Sequence, residues 1–378
     1  MSSASPKSRS TPSLVLIATV MLNIAGAQAA VGTWTTAGPY GGSDSVLAVY
    51  EAGPSTLFAG GRGGLFRSLS SGNAWQRIEI GLPESYYVQS LVSATSAPIL
   101  YLSTGNQLFR SGNGGDLWVT LGSPTPAGGY IADVSLRRAT SNSVAIAASN
   151  GAYVSTNGGS TWIGPGASGT TAVFSKILFA ADGSLYLGIA YPDPANFSEA
   201  SLLKSTDGGA SWLPLPTQPP GVFGISTLVA SPADPQRLYV SDGGTVATSG
   251  NGGTTWSSLS LPATGAGCGE VQAVTPHPST ALSVFVACSR NGVSFAADAS
   301  APAWTTWGSA SGLTANGTDP VQASAIVVHP GFPATGTLWT GTIDGGLFRS
   351  TNNGTNWSTI NSGFESVNIR ALAPHPMD

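Results

Sequence analysis

The residues best suited to chemistry sit in one segment, Ala190-Tyr191-Pro-Asp193-Pro-Ala-Asn-Phe197-Ser-Glu199. Tyr191 and Phe197 offer flat apolar rings, and Asp193 and Glu199 offer carboxylates. Together they suit stacking on a sugar and hydrogen bonding to its hydroxyls. A second group is expected in comparable loops: Arg62, Glu84, Tyr86, Tyr87, Asp242, Arg290 and Asp344. Three histidines, His277, His329 and His375, raise the question of zinc, but each is followed by proline and each follows a similar apolar run. Equivalent places in successive repeats point to turns, so no metal is expected. Asp234-Pro235 fills the same slot with a different residue. Neither an H-E-x-x-H, a G-x-S-x-G nor a phosphate-binding loop occurs, and no cofactor is expected.

Composition narrows the field. Charged residues make up 8% of the 378, against roughly 25% in an average soluble protein, and there are 50 glycines. Long amphipathic helices need charged faces and few glycines, so short strands and tight turns are favoured. Ten tryptophans and 41% hydrophobic residues supply a core, which argues against disorder. Three lysines, no basic cluster and a net charge of −4 exclude nucleic-acid binding by phosphate neutralisation.

Residues 1–29 read as a secretory signal peptide: Lys7 and Arg9, an apolar run from Leu14 to Leu22, and Ala27-Gln28-Ala29 ahead of cleavage before Ala30. The run is too short to span a bilayer, which takes about 20 residues. A periplasmic or extracellular location is expected, with no membrane span. Export permits a disulfide. Val271 to Thr275 and Leu282 to Ala287 read as a hairpin that sets Cys268 opposite Cys288, the two cysteines of the chain.

A repeat must position all of this. Six segments follow Ser-x-(Asp/Asn/Ser)-x-Gly-x-x-Trp, with Ser70 and Trp75, Asn113 and Trp118, Asn157 and Trp162, Asp207 and Trp212, Asn251 and Trp256, and Asn352 and Trp357 at the key positions. A degenerate copy lies around Asp298 and Trp304. The tryptophans step by 43, 44, 50, 44, 48 and 53 residues, the period of a four-stranded propeller blade. The fold class expected is therefore all-β: a single β-propeller with seven complete repeats over about 45–364, or eight blades if the chain is truncated. Residues 30–378 form its domain, with terminal strands at 32–36 and 367–374. The Asx side chain binds backbone N–H groups of its own turn, the glycine supplies a positive φ, and the tryptophan packs between blades.

These boxes resemble the Asp-box, or BNR, repeats of bacterial sialidases, family 74 xyloglucanases, sortilin-type receptors and photosystem II assembly factors. The resemblance implies a propeller whose boxes face away from the usual active site. It does not fix an activity. The sialidase Arg-Ile-Pro signature is absent; Arg77-Ile-Glu79 stands nearest. Family 74 enzymes carry Thr-Asp-x-Gly-Gly-(Tyr/Phe)-Arg with a catalytic Asp. Here Arg62 takes that place in Gly61-Arg62-Gly63-Gly64-Leu65-Phe66-Arg67, whereas Thr342-Ile-Asp344-Gly-Gly-Leu-Phe348-Arg349 keeps it. The functional expectation is an exported, non-catalytic binding propeller, expected to be a monomer, with a polysaccharide or protein ligand. The alternative is a glycoside hydrolase with Asp344 or Asp193 among its carboxylates. An assembly factor for a membrane complex is a third reading.

Overall fold

A computed structural model describes residues 56–371. Positions 62, 85, 95–97, 123, 126–128, 138–141, 168–172, 181, 192–200, 263–266, 316, 318, 344 and 364–368 fall outside that description. So do the signal-peptide segment and the strand expected at 32–36.

Seven four-stranded antiparallel sheets form the blades of a propeller. The innermost strands of blades 2 to 7 are Ser90–Ser93, Ile131–Leu136, Val173–Phe179, Thr227–Ala230, Val271–Pro276 and Ala323–Val328. Each is followed by its second, third and outer strands in chain order. Blade 1 is composite. Leu57–Gly61, Gly64–Ser68 and Gln76–Ile78 supply its outer three strands, and Ile369–Ala371 from the far end of the chain supplies the innermost. The late strand is thus no spare: it pairs with Leu57–Gly61 through Gly60–Ala371 and Gly61–Ile369.

The second strands are the most buried, as in Val144–Ala148 and Val284–Cys288, where every residue is covered. Their continuous apolar runs are what a strand buried on both faces requires. The tryptophan of each repeat packs on the blade before it. Trp75 lies with Val327, Trp339 and Ile360 of blade 7, and Trp118 lies with Phe58, Leu65 and Ile78 of blade 1. Trp357 lies with Phe285 and Trp307 of blade 6.

The repeated turn closes on itself. The serine Oγ accepts the glycine N–H in all six: Gly72 to Ser68, Gly115 to Ser111, Gly159 to Ser155, Gly209 to Ser205 and Gly253 to Ser249 at 2.9 Å, and Gly354 to Ser350 at 3.0 Å. The Asx Oδ1 accepts the N–H four residues on, from Leu117 to Asn113 at 3.0 Å and from Thr161 to Asn157 at 2.9 Å. Ser70 does the same with its hydroxyl, taking Ala74 N–H at 3.1 Å. The glycine is needed twice. Its φ is positive, +89° at Gly115 and +83° at Gly354, and a Cβ there would strike an apolar side chain of the preceding blade, Phe58 at 2.6 Å in the case of Gly115.

Among these turns Asp207 is the charged member. Hydrogen bonds from the Ser211 hydroxyl, the Ser211 N–H and the Ser205 hydroxyl pull its pKa down to about 2. A carboxylate with a depressed pKa adds stability above its unfolded value and loses it as pH falls through the folded one. Asp207→Asn is expected to fold normally. Asn157 and Asn251 already fill this place, each donating Nδ2 to a threonine hydroxyl at 2.8 Å. The melting midpoint of the wild type should fall more steeply than that of the variant between about pH 4 and pH 2. Parallel curves over that range would remove the role assigned to Asp207.

Candidate functional site

The strand directions define two faces. The lower face carries the turns between first and second strands and the repeated Ser-x-Asx turns. The upper face carries the loops that lead into each innermost strand and the loops between second and third strands.

The lower face is occupied by structure. His277 is buried, stacks on Phe285 and meets Phe332 edge-on; its Nδ1 accepts Ser279 N–H at 3.1 Å. His329 Nδ1 accepts Gly331 N–H at 2.9 Å. Burial lowers the pKa of both rings below the usual histidine value, so both are neutral at pH 7. The two rings sit on different blades, and no cluster of three metal-ligating side chains occurs among the described residues. His375 lies outside them. Two arginines of third strands are struts between blades. Arg67 pairs with Asp116 of blade 2, and Arg349 donates to Ser71 O of blade 1 at 2.8 Å.

The upper face is built by a recurring backbone joint. In four blades the N–H at the start of the innermost stretch donates to the blade before it: Val88 to Gly61 O at 3.2 Å, Ile131 to Gly105 O at 2.6 Å, Ile225 to Ile189 O at 2.8 Å and Val271 to Gly243 O at 2.7 Å. This joint sets the preceding residue at the rim. In five blades one extra residue of the innermost strand interrupts the ladder, at Arg370, Ala132, Ser175, Gln272 and Ser324. Bulges re-aim side chains and gather next to functional sites.

The rim is unequal around the ring. Tyr87 stands three residues before the innermost strand of blade 2, Tyr130 immediately before that of blade 3, and Val173 at the start of that of blade 4. Phe223 lies just ahead of Ile225 in blade 5 and is 82% exposed. Tyr130 and Val173 are 43% and 44% exposed, and Tyr87 is half-buried. The rim places of blades 6 and 7 hold Glu270 and Gln322 instead. Apolar side chains left in water along one arc are the kind of patch that marks an interaction site. Below the rim, Asp133 ties three blades: its Oδ1 accepts Ser90 Oγ–H and its Oδ2 accepts Ile177 N–H, both at 3.1 Å. Lys176 stands beside it on the next innermost strand, half-buried.

The residues singled out in the sequence divide as follows. Tyr86 is buried; its hydroxyl accepts Leu65 N–H at 2.9 Å and donates to Ile78 O at 3.1 Å. Burial pushes its pKa up to about 12, so its phenol is spent on blade 1. Asp242 caps its own turn through Gly244 and Thr245 N–H at 2.9 and 2.7 Å, and its Oδ2 accepts Phe223 N–H at 3.3 Å. It therefore fixes the loop that presents Phe223. Glu84 and Arg290 are exposed. Arg62, Asp193, Phe197, Glu199 and Asp344 lie outside the described residues, as does the Tyr191 side chain. The base of their loop is described: Gln218 Oε1 accepts Ser201 and Leu202 N–H at 3.1 and 3.0 Å, and Gly224 packs against Ala190. Cys268 and Cys288 form a disulfide between the two upper loops of blade 6.

Sequence reasoning passed over Tyr130, Val173, Phe223, Asp133 and Lys176. A signal existed for the first two: Tyr87, Tyr130 and Val173 follow one another at steps of 43 residues, the repeat's own period.

No protein-family model matches the chain, and a search of curated proteins finds no match. Solved structures do match in fold. A GH74 xyloglucanase from Xanthomonas campestris superposes with a TM-score of 0.67 at 18% identity, covering 85% of this chain and 55% of the enzyme. YCF48 bound to D1 peptide superposes with a TM-score of 0.60 at 14% identity, covering 82% and 93%. PorZ, a surface component of the type-IX secretion system of Porphyromonas gingivalis, gives 0.55 at 15%, covering 81% and 46%. The chain thus spans about half the length of the xyloglucanase. Among the described residues, no helix is long and apolar enough to cross a membrane.

Proposed function

We propose that this chain is an exported, non-catalytic binding propeller that holds an extended polysaccharide across its upper face. The observation carrying this reading is the arc of Tyr87, Tyr130, Val173 and Phe223 on four successive blades. The rings of Tyr87, Tyr130 and Phe223, with the apolar Val173 between the last two, suit the apolar faces of successive sugars. On the lower face, filled by turns, struts and the rings of His277 and His329, the exposed apolar side chains Leu69 and Leu117 are aliphatic and offer no flat ring to a sugar. The disulfide and the signal-like N-terminus support a location outside the cytoplasm.

Phe223→Ala and Tyr130→Ala are each expected to weaken binding to a retained polysaccharide about tenfold, the usual effect of losing an aromatic anchor worth about 1.4 kcal/mol. Affinity electrophoresis through gels containing glycans would read this. Unchanged mobility of both variants in every gel that retards the wild type would reject the arc as the binding surface.

Likeness to the xyloglucanase favours glycoside hydrolysis as a second reading. Such chemistry usually takes two carboxylates flanking the bond, and Asp344 or Asp193 is proposed among them. Reducing-sugar release from a polysaccharide, lost in Asp344→Ala or Asp193→Ala, would favour it over the binding reading. Fold likeness to YCF48 bound to D1 peptide supports a protein ligand as an outcome of the same binding experiments.

A further inference from the structure

The structure assigns Arg290 as a pre-set oxyanion-binding side chain, and we propose that the polysaccharide held on the upper face carries carboxylates, as a uronate-containing glycan does. This rests on the reading of the upper face as the ligand site. The Cys268–Cys288 bridge is inferred to be the device that holds Arg290 in place.

Three observations lead here. The first is the fate of the other arginines whose side chains are described. Arg67 pairs with Asp116, and Arg77 with Glu79 at 3.2 Å and Glu84 O at 2.8 Å. Arg110 donates to the Tyr101 hydroxyl at 3.3 Å, Arg237 faces Asp234 at 3.9 Å and Arg349 donates to Ser71 O. Arg137 packs over Gly183. Arg290 is exposed, and its guanidinium makes no ion pair or hydrogen bond with any described residue. Glu270, on the facing loop, directs its carboxylate to Gln272 Nε2 at 3.3 Å instead.

The second is how firmly Arg290 is set. Its N–H donates to Cys268 O at 3.0 Å. Ser289 and Glu270 exchange two hydrogen bonds, Ser289 N–H to Glu270 O and Glu270 N–H to Ser289 Oγ, both at 2.8 Å. Asn291 sits at φ +63° and donates Nδ2 to Gly267 O at 2.8 Å. The arginine stem runs along Gly269, where a Cβ would come within 3.0 Å of its Cγ.

The third is a comparison within the molecule. Blade 3 makes the same loop pairing, with Ser149 N–H to Tyr130 O at 2.8 Å and Tyr130 N–H to Ser149 Oγ at 3.0 Å, and it does so without a bridge. The disulfide is therefore not required to build the joint. It is added where the joint carries an arginine. A planar guanidinium with a fixed stem binds a carboxylate through two parallel hydrogen bonds. A guanidinium open to solvent on a fixed stem, beside the Glu270–Gln272 pair, fits a glycan whose carboxylates are spaced along rings of hydroxyls.

The test compares the full chain with Arg290→Gln, Arg290→Lys and Cys268→Ser/Cys288→Ser on polygalacturonate, neutral xyloglucan and poly-glutamate. The wild type is expected to bind polygalacturonate. Arg290→Gln should weaken that binding at least tenfold and leave xyloglucan affinity unchanged, and Arg290→Lys should recover only part of it. The serine pair, or mild reduction of the wild type should that variant not fold, should weaken polygalacturonate binding several-fold at unchanged xyloglucan affinity. Wild-type affinity of Arg290→Gln for polygalacturonate overturns the assignment. Phe223-dependent binding of xyloglucan with none of polygalacturonate overturns it too, while leaving the binding face standing. Arg290-dependent binding of poly-glutamate alone overturns the glycan class. Unchanged polygalacturonate affinity after loss of the bridge overturns its positioning role.

Discussion

Cutting the chain after Gly363 is expected to abolish the cooperative melt of the propeller. Ile369–Ala371 is the innermost strand of blade 1, and Leu57–Gly61 beside it is buried at every residue. Removing the late strand bares one side of that second strand. It also loosens the seam where Leu57, Ala59, Phe66 and Trp75 meet Val327, Trp339, Leu347 and Ile360 of blade 7. Exposing two or three such side chains costs about 5 kcal/mol, on the order of a whole domain's stability. Near-ultraviolet circular dichroism should lose its tryptophan signal, and a synthetic peptide covering 364–378 should restore part of it. A truncated chain that melts at the wild-type midpoint would show that the ring holds without this strand.

Gly81→Ala is expected to cost more than any other single glycine-to-alanine change in an exposed loop of this protein. Trp118 N–H donates to Ile80 O at 3.2 Å, Trp357 N–H to Ser311 O at 2.8 Å and Trp75 N–H to Ser362 O at 3.0 Å. Each acceptor is followed by a glycine with positive φ: Gly81 at +81°, Gly312 at +90° and Gly363 at +91°. This latch brings the Trp backbone of the next blade hard against the glycine. A Cβ on Gly81 would fall onto the Trp118 carbonyl oxygen, and one on Gly312 would come within 2.6 Å of Trp357 O. Backbone on both sides leaves nothing soft to yield, so about 3 kcal/mol or more should be lost. Gly208→Ala separates the two causes. Gly208 has φ +75° but open space around its Cβ, so it should lose only the conformational part, about 1 kcal/mol. Equal chemical-denaturation midpoints for the two variants would show that the latch adds nothing beyond backbone preference.

Blade architecture was legible because each blade solves the same problem with the same residues. Ser111, Asn113, Gly115 and Trp118 can be matched to Ser350, Asn352, Gly354 and Trp357 by eye, and a period of that length leaves few folds to choose from. The partner of the late strand was not legible. Val367 to Pro374 reads as a strand, but its pairing with Gly60 and Gly61 joins opposite ends of the chain, and local pattern carries no information at that range. The Cys268–Cys288 bridge was legible because the hairpin brings the chain ahead of Val271 beside Cys288, although the ladder partner of Cys288 is Val271 and not Cys268. The candidate site was legible only in part. Tyr86 and Tyr87 are adjacent and alike in type, yet one is buried as a clasp of blade 1 and the other stands at the rim. Alternation assigns them to opposite sides of the chain but does not say which side is wet. Phe223 escaped notice for the same reason, since a lone aromatic in a proline-rich loop reads as core until its exposure is known.

The extra residues at the bulges are substitutable without re-pairing a strand. Ala132, Ser175, Gln272, Ser324 and Arg370 each stand outside the ladder register of their blade. Their identities are already dissimilar, while the ladders around them are alike. A change at one of the more open of them, Ala132 or Gln272, alters the mouth of the ring and leaves the ladder pairing on either side in register. Such a mouth can be re-lettered one blade at a time, so two chains with this same frame need share no ligand at all.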